Sequence, residues 1–165
     1  MNRDLDTFKI RFATEEDAAL ILHFIKELAA YEHMSEEVVA TQELILETIF
    51  RQKKAEVLIG EYQNTPVAFA LFFYNYSTFL ARPGIYLEDL YVKEEYRSMG
   101  FGTKLINFLA RLAKEHNCGR LEWACLDWNE PSIKFYKSLG SIPMEEWTVY
   151  RLQGEALDHM ADRMS

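Results

Sequence analysis

Arg97, Gly100 and Gly102, set in Arg97-Ser98-Met99-Gly100-Phe101-Gly102, are spaced as Arg-x-x-Gly-x-Gly, a pattern suited to chemistry on an anion. The apolar run Leu87-Glu88-Asp89-Leu90-Tyr91-Val92 leads into them, and a helical pattern follows at once with Thr103-Lys104-Leu105. Such a turn gathers backbone N–H groups, a helix N-terminus and a guanidinium at one point, which suits a pyrophosphate. Two other phosphate turns fail on spacing. A dinucleotide fingerprint needs Gly or Ala at 105, where Leu105 stands, and a P-loop needs Gly-Lys-Ser/Thr, whereas Gly102 precedes Thr103-Lys104. Read alone, the turn could equally be structural, its glycines supplying only positive φ. Glu88 and Asp89 supply carboxylates next to it, and one of them could act as a base. As neighbours in a strand they are expected to face opposite sides of the sheet, so that only one enters a given cleft.

The elements that must position these groups follow from periodicity and caps. Residues 7–13 alternate as a strand, and Thr14-Glu15-Glu16-Asp17 reads as a capping box with an acidic first turn. The first helix should bury Ala18, Leu22, Ile25 and Leu28–Ala29. Thr41 can cap a second helix carrying Leu44, Ile45, Thr48 and Ile49. Strands are expected over 55–62 and 66–74, joined by Gln63-Asn64-Thr65, and over 84–92. The helix opening at Gly102 should bury Leu105, Ile106, Leu109, Leu112 and Ala113. A strand over 121–126 precedes a short helix begun by Asn129-Glu130-Pro131-Ser132 and closed by Gly140. A strand over 147–152 and a helix near 154–163 complete the pattern. Strands and helices mixed over this length predict an α/β (α+β) sheet protein.

The chain of 165 residues suits one domain, 7–165, and 49% hydrophobic residues are enough to fill its core. A net charge of −8 argues against a nucleic-acid partner, since neutralising phosphates needs clustered Lys and Arg. It is compatible with a small cationic substrate. Cys118 and Cys125 form no disulfide framework, and Cys125 reads as packing within a strand. His23, His33, His116 and His159 show no paired spacing, so no metal site is expected. With neither a leader pattern nor an apolar run of about 18 residues, the expectation is a cytoplasmic protein without a membrane partner.

A second segment, Trp128-Asn129-Glu130-Pro131-Ser132-Ile133-Lys134-Phe135-Tyr136, also opens a helix after a strand. With Arg97-x-x-Gly100-x-Gly102, it resembles the GCN5-related N-acetyltransferase superfamily, whose acyl-CoA signature is (Gln/Arg)-x-x-Gly-x-(Gly/Ala). Lys26-Glu27-Leu28-Ala29-Ala30-Tyr31-Glu32, Tyr86-Leu87-Glu88-Asp89 and Asn129-Glu130-Pro131-Ser132 are similar to the diamine (spermidine/spermine) N-acetyltransferase family. Ser98 stands after Arg97 where glycine is frequent.

The resemblance implies a mixed, mostly antiparallel sheet of six or seven strands with helices on both faces. It also implies a gap between two splayed parallel strands, here 84–92 and 120–126, for acetyl-CoA. By the same resemblance, Arg97, Ser98, Met99, Gly100, Phe101, Gly102 and Thr103 would hold the pyrophosphate, and the backbone of Leu90, Tyr91 and Val92 the pantetheine arm. Asn129 would also contact the coenzyme. Tyr136 would protonate the leaving thiolate, and Glu88 would act as base, directly or through water. Tyr31, Glu32, Glu88 and Glu146 would meet a cationic amine acceptor, a di- or polyamine or thialysine. The reaction would be a direct attack with no metal and no acyl-enzyme, in a homodimer. The alternatives are a protein lysine, an amino acid or an aminoglycoside as acceptor, or a CoA-binding sensor without catalysis.

Overall fold

The computed structural model describes residues 7–164, in two compact units that part between Ala124 and Cys125. The first unit holds one five-stranded sheet in the order β1-β2-β3-β4-β5, formed by Lys9–Phe12, Glu56–Tyr62, Thr65–Ser77, Arg82–Val92 and Leu121–Trp123. The first four strands pair antiparallel with their neighbours, and β5 runs parallel to β4. Gln63 and Asn64 join β2 to β3 with φ of 53° and 61°, the left-handed pair that a two-residue hairpin turn needs.

Helices cover both faces of the sheet. On one face, α1 (Ala18–Tyr31) and α2 (Gln42–Ile45) lay Ala18, Ile21, Phe24 and Ile45 on Val57, Ile59, Phe69 and Tyr91. Phe24 stacks on Phe69 with ring centroids 5.2 Å apart. The buried stripe of α1 is therefore turned by one residue from its expected course. Ile21 and Phe24 are fully buried, while Leu22, Ile25 and Leu28 pack at the margin of the same cluster. On the other face, α3 (Phe101–Glu115) buries Phe101, Leu105, Ile106, Leu109 and Ala113. Phe8 stacks on Phe101 at 4.2 Å and occupies the space above Gly60, where an added Cβ would fall 2.4 Å from its ring.

The expected caps form. The Thr14 N–H donates to Asp17 at 2.8 Å, and the Leu44 N–H donates to the Thr41 hydroxyl at 3.1 Å. Beyond one α-helical turn the second helix widens into a π-helical stretch, Leu46–Arg51.

The second unit carries α4 (Glu130–Ser138) and α5 (Gly154–Ala161). Two expectations are corrected at the end of the chain. The strand over 121–126 stops at Trp123, which leaves Cys125 outside the sheet and half-buried. The segment 147–152 is not a strand, so the sheet has five strands among the described residues, not six or seven. Its alternation is real, but a strand also needs a neighbour for its N–H and C=O groups, and no described strand pairs with it. Trp147, Val149, Tyr150 and Leu152 are all exposed.

Candidate active site

The site grows out of β4. β5 pairs with this strand only at Ile85, Tyr86 and Leu87. From Glu88 onward the side of β4 that faced β5 has no strand partner among the described residues. β5 itself ends there, at Trp123, so the pairing stops where the expected gap would begin, and Leu90, Tyr91 and Val92 are extended backbone with no strand partner on that side among the described residues. An extended ligand arm can add to such an edge.

Where this pairing stops, β4 carries one extra residue. Its register against β3 runs from Leu87 opposite Phe72 to Asp89 opposite Leu71, so Glu88 is a bulge. The bulge resets the alternation. Leu87 lies across from Phe72, whereas Asp89 lies across from Leu71, which packs into the cluster under α1. Asp89 thus takes the α1 side with Leu71, and Glu88 interrupts the strict alternation on which the expectation of opposite facings rested. The electrostatics agree with this geometry. Burial, then the charges of Glu88 and Glu32, push the Asp89 carboxyl up to about 6. Burial also raises Glu32, the residue that caps α1. Three carboxylates from two elements thus share one locality, with Glu88 the exposed member.

The turn after β4 presents backbone donors at the start of α3. Ser98 takes φ of 66° and Gly100 takes φ of 83°, two left-handed residues that bend the chain sharply into α3. At Ser98 a left-handed backbone costs an L side chain about 1 kcal/mol that glycine would not incur. Nothing lies within 4 Å of the Cβ position of Gly100, so its glycine answers to the left-handed backbone and not to crowding. The first α-helical bond of α3 runs from Lys104 N–H to Gly100 O, at 3.1 Å. The N–H groups of Phe101, Gly102 and Thr103 precede that bond, at the positive end of a helix of 15 residues. These residues fit a coenzyme diphosphate.

Arg97 is held differently from a free surface cation. Its Nε donates to Val92 O at 2.9 Å, and its guanidinium carbon lies 4.8 Å from the Tyr31 ring centroid and 5.6 Å from that of Tyr91. Burial and the Glu27 carboxylate push the Tyr91 phenol up to about 12, so it stays protonated at neutral pH. Glu27 also meets His23 Nε2 at 2.8 Å and Lys93 Nζ at 3.9 Å. Sequence reasoning missed this support. The signal available was spacing, since His23, Glu27 and Tyr31 recur every four residues along one side of α1.

The remaining expected residues lie in the second unit. Asn129 is buried and caps α4, its side chain accepting from Ser132 N–H at 3.4 Å. Tyr136 is half-buried within α4, 5.4 Å from the Phe135 ring, and its carbonyl accepts from the Ser141 hydroxyl at 2.6 Å. Glu146 is exposed in the irregular stretch between α4 and α5. The first unit thus brings together Tyr31, Glu32, Glu88, Leu90–Val92 and the turn 97–103, and the second carries Asn129, Tyr136 and Glu146.

Comparison with known proteins adds to this geometry. Residues 21–140 match the acetyltransferase (GNAT) family. The chain is 38% identical to a thialysine N-epsilon-acetyltransferase of Sus scrofa, over 93% of this chain and 97% of that protein. It is 29% identical to an L-ornithine N5-acetyltransferase of Arabidopsis thaliana, over 90% of this chain and 86% of the other. Among solved structures, an integron cassette protein from the mobile metagenome of V. cholerae superposes with a TM-score of 0.80 at 25% identity, covering 93% of this chain and 97% of that one.

Proposed function

We propose a function for this chain, which belongs to the acetyltransferase (GNAT) family: it transfers the acetyl group of acetyl-CoA to a primary amine of a small cationic acceptor. The observation that carries this reading is the carboxylate locality of Glu32, Glu88 and Asp89, with Glu88 and Asp89 on the strand that leads to the turn 97–103 and Glu32 at the end of α1. An acceptor amine arrives as an ammonium with a pKa near ~10 and must lose a proton before it can attack. The three carboxylates draw the ammonium in. Glu88, exposed at the bulge, is the group placed to take its proton directly or through water.

Acetyl-CoA supplies an activated thioester. The turn 97–103 and the α3 N-terminus hold its diphosphate, and the free edge of β4 at Leu90–Val92 aligns its arm. Holding both reactants in one geometry lowers a bimolecular barrier by as much as about 7–11 kcal/mol. Tyr136 is the acid of this reading and Asn129 a coenzyme contact, both assigned from the family pattern in α4. Glu146 is an acceptor-site carboxylate on the same basis. No metal and no acyl-enzyme take part. The catalytic domain spans 7–165, the protein is a cytoplasmic homodimer, and nucleic acid and membrane are not partners.

The acceptor class is a di- or polyamine or a lysine-like amine. The thialysine and ornithine enzymes among the relatives support the lysine-like members. The carboxylate locality supports acceptors with more than one cationic centre. A screen with acetyl-CoA, read by thiol release, separates these from protein lysines, aminoglycosides and a non-catalytic sensor. Spermidine, thialysine, ornithine, a lysine peptide and kanamycin make up the panel. Turnover is expected with the first three. In the best of them, Glu88→Gln should lose about 10²-fold in rate at pH 7 and Tyr136→Phe a similar factor. Absence of thiol release with every amine would overturn the reading.

A further inference from the structure

Resting on the reading above, we propose that Tyr31 is a positioning residue that couples the two substrate sites. Its ring, lying against the Arg97 guanidinium, makes occupancy of the diphosphate turn and of the amine site mutually reinforcing. Tyr31 is the last residue of α1 and Glu32 follows it directly. The ring of Tyr31 therefore belongs to the cofactor side, 4.8 Å from the Arg97 guanidinium carbon, while the next carboxylate belongs to the acceptor side, where Asp89 senses its charge. At the mouth of the turn Arg97 donates from Nε to Val92 O, and its side chain also acts on the Tyr91 phenol. The ring faces of Tyr31 and Tyr91 restrain it further.

An anion seated on the turn fixes the guanidinium, and the fixed guanidinium orders the ring above it. Ordering Tyr31 also orders the backbone that carries Glu32. In the reverse direction, an ammonium on Glu32 pins the end of α1 and so steadies the ring over Arg97. Whichever ligand binds second meets a stack that the first has already ordered, which is positive coupling without a change of shape. Linkage requires the factor to be the same in both directions. A partly exposed cation–π contact limits that factor to about two- to fivefold.

The test measures binding of coenzyme A, which cannot react, to the full chain with and without saturating acceptor. The acceptor is the better turned over of thialysine and spermidine. Wild type should bind coenzyme A about two- to fivefold tighter with the amine present. Tyr31→Phe keeps the ring and should keep the factor. Tyr31→Leu should reduce it to one, and Arg97→Lys, which retains the charge but not the planar face, should do the same. Should Tyr31→Leu fail to fold, as read by its thermal transition, Arg97→Lys decides. A wild type that binds both ligands with no coupling, or a variant without the stack that retains it, overturns the inference while leaving the proposed function intact. A wild type that neither binds coenzyme A nor turns over any amine overturns the function itself.

Discussion

Asp89 carries a charge where burial disfavours one. Its folded carboxyl, up to about 6, sits above the value of 3.8 for a free aspartate, for which burial and then the Glu88 and Glu32 charges are responsible. The sign follows from linkage. Between these two values the folded state keeps a proton that the unfolded chain releases, so this group's contribution is most favourable below about pH 4 and is lost as pH rises through 6. Asp89→Asn should therefore stabilise the protein by up to about 2 kcal/mol at pH 8 and by far less at pH 4, which thermal unfolding at the two pH values would show. The same residue sets a functional slope. A cationic acceptor favours ionised Asp89, so KM for the amine should fall several-fold as pH rises from 5 to 7, and Asp89→Asn should flatten that slope. Part of this was legible in the chain. The adjacent pair Glu88-Asp89 marked the acid locality, but the side of the sheet that Asp89 takes depends on a register shift between β3 and β4 that no local pattern encodes.

Elements were legible where a local signal and a local cause coincide. The capping box at Thr14, the cap at Thr41 and the apolar stripe of α3 each form because the residues that specify them lie within a turn or two of one another. Turning α1 by one residue required knowing that Phe24 would find Phe69 across the interface, 45 positions away in the chain. The start of α1 shows how a local cap gains a distant partner. Asp17 accepts from the Thr14 N–H and, through both oxygens, from the Arg11 guanidinium at 2.7 and 2.8 Å; Arg11 also donates to Glu61 on β2 at 2.5 Å. These bonds, the Arg11 one foremost, hold the Asp17 carboxyl below its usual range. That stability is present above about pH 4 and is lost as pH falls through the lowered value. Asp17→Asn should cost about 1–2 kcal/mol at pH 7, discounted for the partly exposed guanidinium, and the cost should vanish in acid. Equilibrium urea unfolding at pH 7 and pH 3 measures both.

At the scale of the whole molecule, individual strands and helices were readable from periodicity, helices on both faces were implied only by the family resemblance, and the expected last strand does not form because no described strand pairs with it. The stretch that alternates as a strand leaves Trp147, Val149, Tyr150 and Leu152 exposed, with Ile142 and Met144 before it. Exposed apolar rows of this kind are found where another chain covers them. The proposed homodimer then predicts a specific result. Sedimentation of the wild type should give twice the chain mass, and the double variant Trp147→Ser, Tyr150→Ser should associate at least tenfold more weakly while retaining the far-ultraviolet spectrum of the fold.

The single extra residue at Glu88 has a genetic corollary. Loss of its codon in frame would straighten β4 and restore strict alternation with no change of facing, because Leu87 would stay across from Phe72 and Asp89 across from Leu71 as neighbours in an unbroken ladder. Three nucleotides would thereby remove one carboxylate and the local bend while leaving Asp89 and Tyr91 on the side of the sheet they already occupy. A point substitution at the same codon, in contrast, would leave the bend standing. The charge at position 88 and the bend that displays it are thus separable by mutation.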